Sequence, residues 1–201
     1  MSLDILAALM MFALVSTITP GPNNMMLLAS GANWGVRRSI PHLLGVAIGF
    51  SVMVLMVGIG IMQLFERYPL SNTLLKYGSG SYMVFLAYKI ATASAPKLDE
   101  VSTSKPISFI QAAMFQWVNP KAWAMAIGAI SLYAPNRELS SIGIIALVYG
   151  VVNLPSISLW TILGQQLQRV LTNERRLRIF NRTMALLLVL SLWPMLGGMV
   201  G

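Results

Sequence analysis

Long apolar runs separated by short polar gaps dominate the chain. A transmembrane helix needs about 20 mostly apolar residues. Runs of this kind cover residues 3–30, 42–64, 71–91, 107–133, 140–163 and 180–200. The pattern predicts an all-α integral membrane protein with six transmembrane helices.

The longest polar gap, residues 92–106, divides the six spans into two groups of three. It predicts a first three-helix repeat over residues 1–91, a cytoplasmic linker over 92–106 and a second three-helix repeat over 107–201. Because three is an odd number, the second trio enters the membrane from the opposite side. Two inverted repeats of this kind are common in secondary transporters.

The composition supports a membrane protein. Hydrophobic residues make up 56% of the chain and charged residues only 10%, whereas ordinary soluble domains carry about 25% charged residues. So few charges cannot form the polar shell of a soluble fold. The absence of cysteine also excludes disulfides, thiolate metal sites and a cysteine nucleophile.

The net charge of +8 raises the possibility of nucleic-acid binding, but the basic residues lie in the gaps between apolar runs. That placement is typical of a topology signal, and we expect no nucleic-acid partner. The gaps after spans one, three and five contain Arg37, Arg38, Lys89, Lys97, Lys105, Arg169, Arg175, Arg176, Arg178 and Arg182. After spans two and four, together with the start of span three, lie only Arg67, Lys76 and Arg137. The positive-inside rule therefore predicts that both termini face away from the cytoplasm.

The first span is interrupted by six residues that a straight helix cannot accommodate: Thr19, Pro20, Gly21, Pro22, Asn23 and Asn24. The prolines remove backbone donors, and the glycine permits unusual dihedral angles. Helical rise from Leu3 to Thr19 is about 24 Å, which places the break well inside the bilayer. Irregular backbone is tolerated there only where protein or a wet cavity satisfies its polar groups.

The fourth span has its own interruption, which includes Gln116, Asn119, Pro120 and Lys121. It lies about 20 Å along the helix from Ile107. Breaks in corresponding helices of two inverted halves should meet near the membrane midplane. The two breaks therefore predict a substrate-binding site formed by all ten of these residues.

The chemistry of the breaks suits a small zwitterion. A half-helix starting near Asn23 would present free amide donors and a positive dipole end to a carboxylate. Asn23 and Asn24 supply donors and acceptors, and carbonyls near Thr19 can receive an ammonium group. Lys121, a cation deep in the hydrocarbon, would bind the carboxylate or gate the site.

The same residues also have purely structural explanations. The prolines can simply kink packed helices, and Lys121 can extend its ammonium group to the headgroups. Asn153, two residues before Pro155 in span five, either lines a cavity beside the breaks or marks another kink.

Acidic residues are missing from the middle of every predicted span. A basic substrate would have no buried carboxylate to pair with, so a neutral amino acid is favoured. Coupling to protons also lacks the usual buried acid. Asp4, His42 and Lys121 can titrate, but His42 is most simply an interfacial histidine, and the coupling residue stays open.

The break motifs identify a family resemblance. The run from Thr19 to Asn23, with Asn119, Pro120, Lys121 and Ala122, resembles the LysE/RhtB-type amino-acid exporters. The resemblance covers essentially the whole chain and includes residues 78–89, GSGSYMVFLAYK, in the third span. Residues 19–28 most resemble the cysteine/O-acetylserine exporter branch. The resemblance implies efflux of amino acids across the bacterial inner membrane, driven by protons. In that membrane, the termini that the positive-inside rule places away from the cytoplasm would be periplasmic.

Two other functions compete with a carrier. An intramembrane enzyme needs a placed nucleophile and base or a metal with several ligands, and one histidine without buried carboxylates argues against it. A non-transporting subunit or scaffold would explain six helices but not two helix breaks. We therefore expect a small neutral amino-acid substrate, protons and membrane lipid as partners, no cofactor or metal, and a possible homo-oligomer.

Overall fold

The computed structural model describes residues 1–60, 69–93, 106–171 and 173–190, without the side chains of residues 69–76 and 79. These ranges contain seven α-helices and no β-strand. The helices are α1 (Leu3–Ile18), α2 (Pro22–Gly58), α3 (Pro69–Ala91), α4 (Phe109–Val118), α5 (Pro120–Tyr133), α6 (Leu139–Leu167) and α7 (Glu174–Leu190). The all-helical fold class is confirmed.

The first predicted span is broken where the prolines indicate. Helix α1 is capped by Ser2, whose side chain accepts a hydrogen bond from the Ile5 amide, and it ends at extended Thr19. Helix α2 begins at Pro22, in the first helical turn, where the missing N–H of proline removes no helical hydrogen bond. The break is thus a short non-helical linker of residues 19–21 between two helices.

A second bend, at Gly35, corrects the predicted boundaries of spans one and two. Residues 31–41, predicted as a gap, are helical apart from Gly35, whose φ of 74° and ψ of 171° suit glycine. The Val36 amide beside this kink donates to Gln165 Oε1 at 2.7 Å. The first span therefore continues to residue 34, and the second starts at Val36 rather than His42.

The predicted ends of the spans shift as well. Helix α2 ends at Gly58, just before a turn in which Gly60 has a φ of 107°, and the predicted end of span two at residue 64 lies outside the described residues. Helix α7 starts at Glu174, six residues before the predicted start, so the basic residues at 175–178 belong to the helix and not to the preceding gap. The predicted end of span six at residue 200 and most of the predicted linker, residues 94–105, lie outside the described residues.

The fourth span is divided at Asn119. This residue is the C-cap of α4 and the N-cap of α5, and its side-chain oxygen accepts the Lys121 amide at 3.1 Å. Pro120 occupies the first turn of α5. At the other end of α4, Ser108 and Gln111 form a reciprocal capping box. The interruption is therefore one residue long, with caps that satisfy the adjoining backbone.

Side-chain distribution is that of a protein surrounded by lipid. Leu147 and Val151 on α6 are 68% and 63% exposed, while Asn153 and Ser156 on the same helix are buried. His42, expected at the membrane interface, is buried, with both ring nitrogens unpaired in the described ranges. Polar interiors and apolar surfaces are favoured when the solvent is hydrocarbon.

Two of the described helices, Pro22–Gly58 and Leu139–Leu167, pass a test of length and hydropathy for crossing a membrane. Helix Leu3–Ile18 is apolar but shorter. The breaks explain why helices predicted as single spans are divided into shorter elements.

Close helix packing fixes the two halves of the molecule against each other. A Cβ atom on Gly31 would collide with the Thr161 carbonyl, and one on Gly164 would collide with the Leu28 carbonyl. Helices α2 and α6 therefore cross in backbone contact, the most extensive interface in the described residues. Gly49 also brings α2 close to α4, since a Cβ atom there would lie 2.6 Å from Ala113 Cα. Asn119, at the second helix break, is buried, whereas Thr19 and Pro20 of the first break are exposed.

Candidate functional site

Lys121 joins the two helix breaks directly. Its Nζ atom donates to the Thr19 carbonyl at 2.6 Å, to the Thr19 hydroxyl at 2.9 Å and to the Pro20 carbonyl at 3.4 Å. The break in α1–α2 frees these carbonyls, and the ammonium group of α5 satisfies them. Breaks separated by about one hundred residues in the chain are therefore adjacent in the fold.

A reciprocal amide pair forms a second connection. Asn23 Nδ2 donates to Gln116 Oε1 at 2.8 Å, and Gln116 Nε2 donates back to Asn23 Oδ1 at 3.1 Å. Gln116 is fully buried and also donates to the Ala112 carbonyl at 2.9 Å. This pair ties the first turn of α2 to the last turn of α4.

The Asn24 side chain pairs with backbone carbonyls on the α1 side of the first break. Its Nδ2 atom donates to the Thr17 carbonyl at 2.9 Å and to the Thr19 carbonyl at 2.8 Å. The Thr19 carbonyl, where we expected a substrate ammonium group, thus already receives Asn24 and Lys121 in this conformation. A substrate that uses the same carbonyl must therefore displace the lysine.

A cavity opens beside these contacts, with an empty volume of about 320 Å³ that includes its mouth. Of the ten residues predicted for the site, the cavity wall contains Gly21, Asn23, Asn24, Asn119 and Lys121. Thr19, Pro20 and Gln116 bind these wall residues, while Pro22 and Pro120 start the helices that carry them.

The electrostatics at the cavity favour an anion. Gly21, the N-cap of α2, has no side chain to accept a hydrogen bond from the free amides of the first turn. Asn119, the N-cap of α5, accepts one from the Lys121 amide. The positive end of the α2 dipole and the Lys121 ammonium group therefore lie at the same cavity. Carboxylates are absent from its described wall.

Several wall residues were not identified from the sequence. They are Ser16, Thr17, Phe50, Ala122, Met125 and Ile157. Thr17 donates to Ser156 Oγ at 3.0 Å, and Phe50 packs edge-on against Tyr149 with ring centroids 5.0 Å apart. Such residues are common in any helix, so the sequence contains no signal that marks them. Asn153, for which a cavity position was one of two options, does line the cavity.

Substituting Gly21→Ala tests whether the position of Lys121 matters. The new Cβ would lie 2.6 Å from Lys121 Cδ and 3.0 Å from Nζ, while the extended backbone at Gly21 suits any residue. The lysine must move but the helices need not, so we expect solute flux in liposomes to fall about tenfold with little change in melting temperature. Gly128→Ala on α5, whose Cβ would make only an ordinary contact with Phe12, should retain flux. Equal flux from both variants would contradict a requirement for this lysine position.

Comparison with known proteins adds independent information. The sequence model of the LysE type translocator family matches residues 14–191, a range that includes both breaks. The cysteine/O-acetylserine efflux proteins of Escherichia coli (strain K12) and Shigella sonnei (strain Ss046) are each 30% identical to the chain over 191 residues. The alignments cover 94% of this chain and 96% of each relative. No solved structure matches the chain.

Proposed function

Because the chain belongs to the LysE type translocator family, we propose that it is a secondary active exporter of a small neutral amino acid or derivative. Cysteine, O-acetylserine, threonine and homoserine represent the substrate class. The cysteine/O-acetylserine efflux function of relatives that align along 94% of the chain supports this choice. The protein would act in the bacterial inner membrane by alternating access and coupling to protons.

The observation that carries the proposal is the position of Lys121 between the two breaks. A lysine ammonium group and an uncapped helix N-terminus at one small cavity suit a carboxylate. Because carboxylates are missing from the described wall, a basic side chain would have no counter-charge. These features favour a neutral amino acid over lysine or arginine.

The contacts of Lys121 suggest how binding is linked to movement. The substrate carboxylate attracts the Lys121 ammonium group away from the carbonyls of Thr19 and Pro20. The substrate ammonium group then takes the vacated acceptors, while Asn24 continues to hold Thr19. One ammonium group replaces another, so the exchange leaves no carbonyl unpaired, and the contact between the two breaks is released only when substrate is present.

We assign residues 1–91 and 107–201 to two inverted three-helix repeats joined by a cytoplasmic linker at 92–106. Each repeat would contribute one broken helix, with both termini in the periplasm. Alternating access would then consist of rocking one repeat against the other around the two breaks. The direct contacts between Lys121 and residues 19–20 support this assignment because they connect the proposed repeats.

The experiment that tests the proposal uses the purified chain in liposomes with an imposed pH gradient. Uptake of labelled cysteine, O-acetylserine, threonine, homoserine, leucine and lysine is measured with and without the gradient. We expect gradient-dependent movement of at least one neutral member and exclusion of lysine. Absence of movement of every member, from folded and inserted protein, would contradict the proposal and favour a non-transporting subunit.

A further inference from the structure

A second cavity lies at the opposite end of the helical segment that starts at the first break. Its empty volume is about 270 Å³ including the open space at its mouth, and it is lined by residues that include Ser30, Asn33, Trp34 and Lys89. Twelve residues of helix separate Pro22 from Trp34, a rise of about 18 Å. One continuous helical segment, residues 22–34, therefore has the central cavity at its start and this cavity at its end.

The amide groups of this second cavity are already occupied. Asn33 and Asn181 exchange hydrogen bonds of 2.7 and 2.9 Å, and Asn181 also donates to the Ala93 carbonyl at 2.9 Å. Asn33 donates in addition to the Ala29 carbonyl. These groups fix the wall rather than offering themselves to a ligand.

The groups left over are hydrogen-bond donors. Trp34 Nε1 is buried and has no hydrogen-bond partner in the part of the chain that the structure describes. A lysine ammonium group has three donors, and within the same ranges Lys89 makes one hydrogen bond, to the neutral Gln111 Oε1 at 3.2 Å. Buried donors are normally paired. The unpaired indole N–H belongs to a residue that lines the same cavity as Lys89, which points to an acceptor that binds there.

We propose that this cavity is a second binding site, in which Lys89 and Trp34 hold the carboxylate of the amino acid before it enters the central cavity. The inference rests on the proposed export function. The lining residues include no carboxylate, and two donors can pair with the two oxygens of a bound carboxylate. Arg37 and Arg38 follow at the next positions of the chain, and basic loops face the cytoplasm, so the cavity lies on the side from which an exported solute arrives.

The absence of cysteine from the chain permits a direct test by thiol labelling. Ala93→Cys places a thiol on the second cavity, and Ser16→Cys places one on the central cavity. The rate of maleimide labelling is measured in phosphatidylcholine nanodiscs with increasing O-acetyl-L-serine. We expect the ligand to slow labelling of Ala93→Cys several-fold, whereas O-acetylethanolamine, which lacks the carboxylate, should give no protection.

Variants of the donors assign the protection to this cavity. Adding Lys89→Gln to Ala93→Cys should raise the half-protecting concentration at least tenfold. Trp34→Phe, which keeps an aromatic ring but removes the N–H donor together with part of the indole, should raise it several-fold. Lys89→Arg should retain protection, and so should Lys121→Met, which changes only the central site. Protection lost in Lys121→Met but kept in Lys89→Gln would overturn the proposal, because it would then arise from a change transmitted by the central cavity.

Competition by lipid distinguishes an amino-acid site from a lipid site. Comparing protection with flux shows whether the second-site proposal or the export proposal has failed. Adding phosphatidylglycerol to the nanodiscs should leave protection unchanged, whereas competition by this lipid would identify a headgroup phosphate as the ligand and overturn the proposal. Normal liposome flux without protection of Ala93→Cys would refute the second site alone. Protection that depends on Lys89, in a protein that moves no amino acid, would refute export and leave the second site standing.

Discussion

Replacing Lys121 by methionine is expected to lower solute flux in liposomes by about 100-fold or more. The substitution removes the ammonium group that contacts Thr19 and Pro20 and that we assign to the substrate carboxylate. Hydrogen bonds to charged groups contribute about 1.5–3 kcal/mol each, and every 1.4 kcal/mol is a factor of about ten. Flux of labelled O-acetylserine at equal amounts of inserted protein is the measurement.

The same substitution should damage folding much less than transport. The Thr19 carbonyl keeps its hydrogen bond from Asn24 at 2.8 Å when the lysine is removed. We therefore expect Lys121→Met to change the apparent melting temperature by only a few degrees. Arg178→Gln, which removes an exposed cation from α7, is the matched control and should keep both flux and stability. Normal flux from correctly inserted Lys121→Met protein would remove Lys121 from the site.

Replacing Gly164 by alanine should have the largest effect on stability. The added methyl group would collide with the Leu28 carbonyl and lie 3.0 Å from the Ala32 amide nitrogen, and neither backbone atom can move without separating α2 from α6. Overpacking of this kind costs about 1–3 kcal/mol. Thermal unfolding in detergent should show a decrease of about 5 °C or more in melting temperature.

Gly143→Ala is the matched control on the same helix. A Cβ atom at Gly143 would have no neighbour within 4 Å, so only helix propensity changes. We expect this variant to be as stable as the parent or slightly more stable. If both alanine variants unfolded at the same temperature, the close crossing of α2 and α6 would be wrong.

Proline and glycine made the breaks predictable from the sequence. The motifs at residues 19–24 and 116–121 indicated both interruptions, and the structure has them at residues 19–21 and at Asn119. The resemblance drawn from these motifs is confirmed by the family match over residues 14–191. Strong local rules act at such positions, because a missing backbone donor disrupts a helix in any context.

The bend at Gly35 could not be predicted in the same way. A glycine within an apolar segment is also compatible with an unbroken helix, and the kink depends on Gln165, which lies 130 residues further along the chain. Residues 31–41 were predicted as a gap that contains Arg37 and Arg38, yet Asn33 and Ser39 within it are buried and hydrogen-bonded to Asn181 and to the Gly35 carbonyl. Tertiary hydrogen bonds therefore decided this boundary against the local pattern.

The sequence predicted the lysine and most asparagines of the cavity wall but not its apolar residues. Asn23, Asn119 and Lys121 are unusual residues for hydrocarbon depth, so their presence indicated a role. Phe50 and Met125 are ordinary apolar residues, and only the crossing angles of their helices bring them to the cavity. Positions that contribute shape rather than polarity require the folded structure.

Blocking the central cavity tests most directly whether solute passes between the two breaks. Ser16→Cys protein, with its single thiol on the cavity wall, is reacted with a bulky maleimide and assayed for flux of the transported amino acid. Ser140→Cys, exposed in the first turn of α6, is treated identically as the control. The proposed function predicts that modification abolishes flux at Ser16→Cys, that the transported amino acid slows this modification, and that labelled Ser140→Cys transports normally. Full flux from completely modified Ser16→Cys protein would show that the solute takes another route.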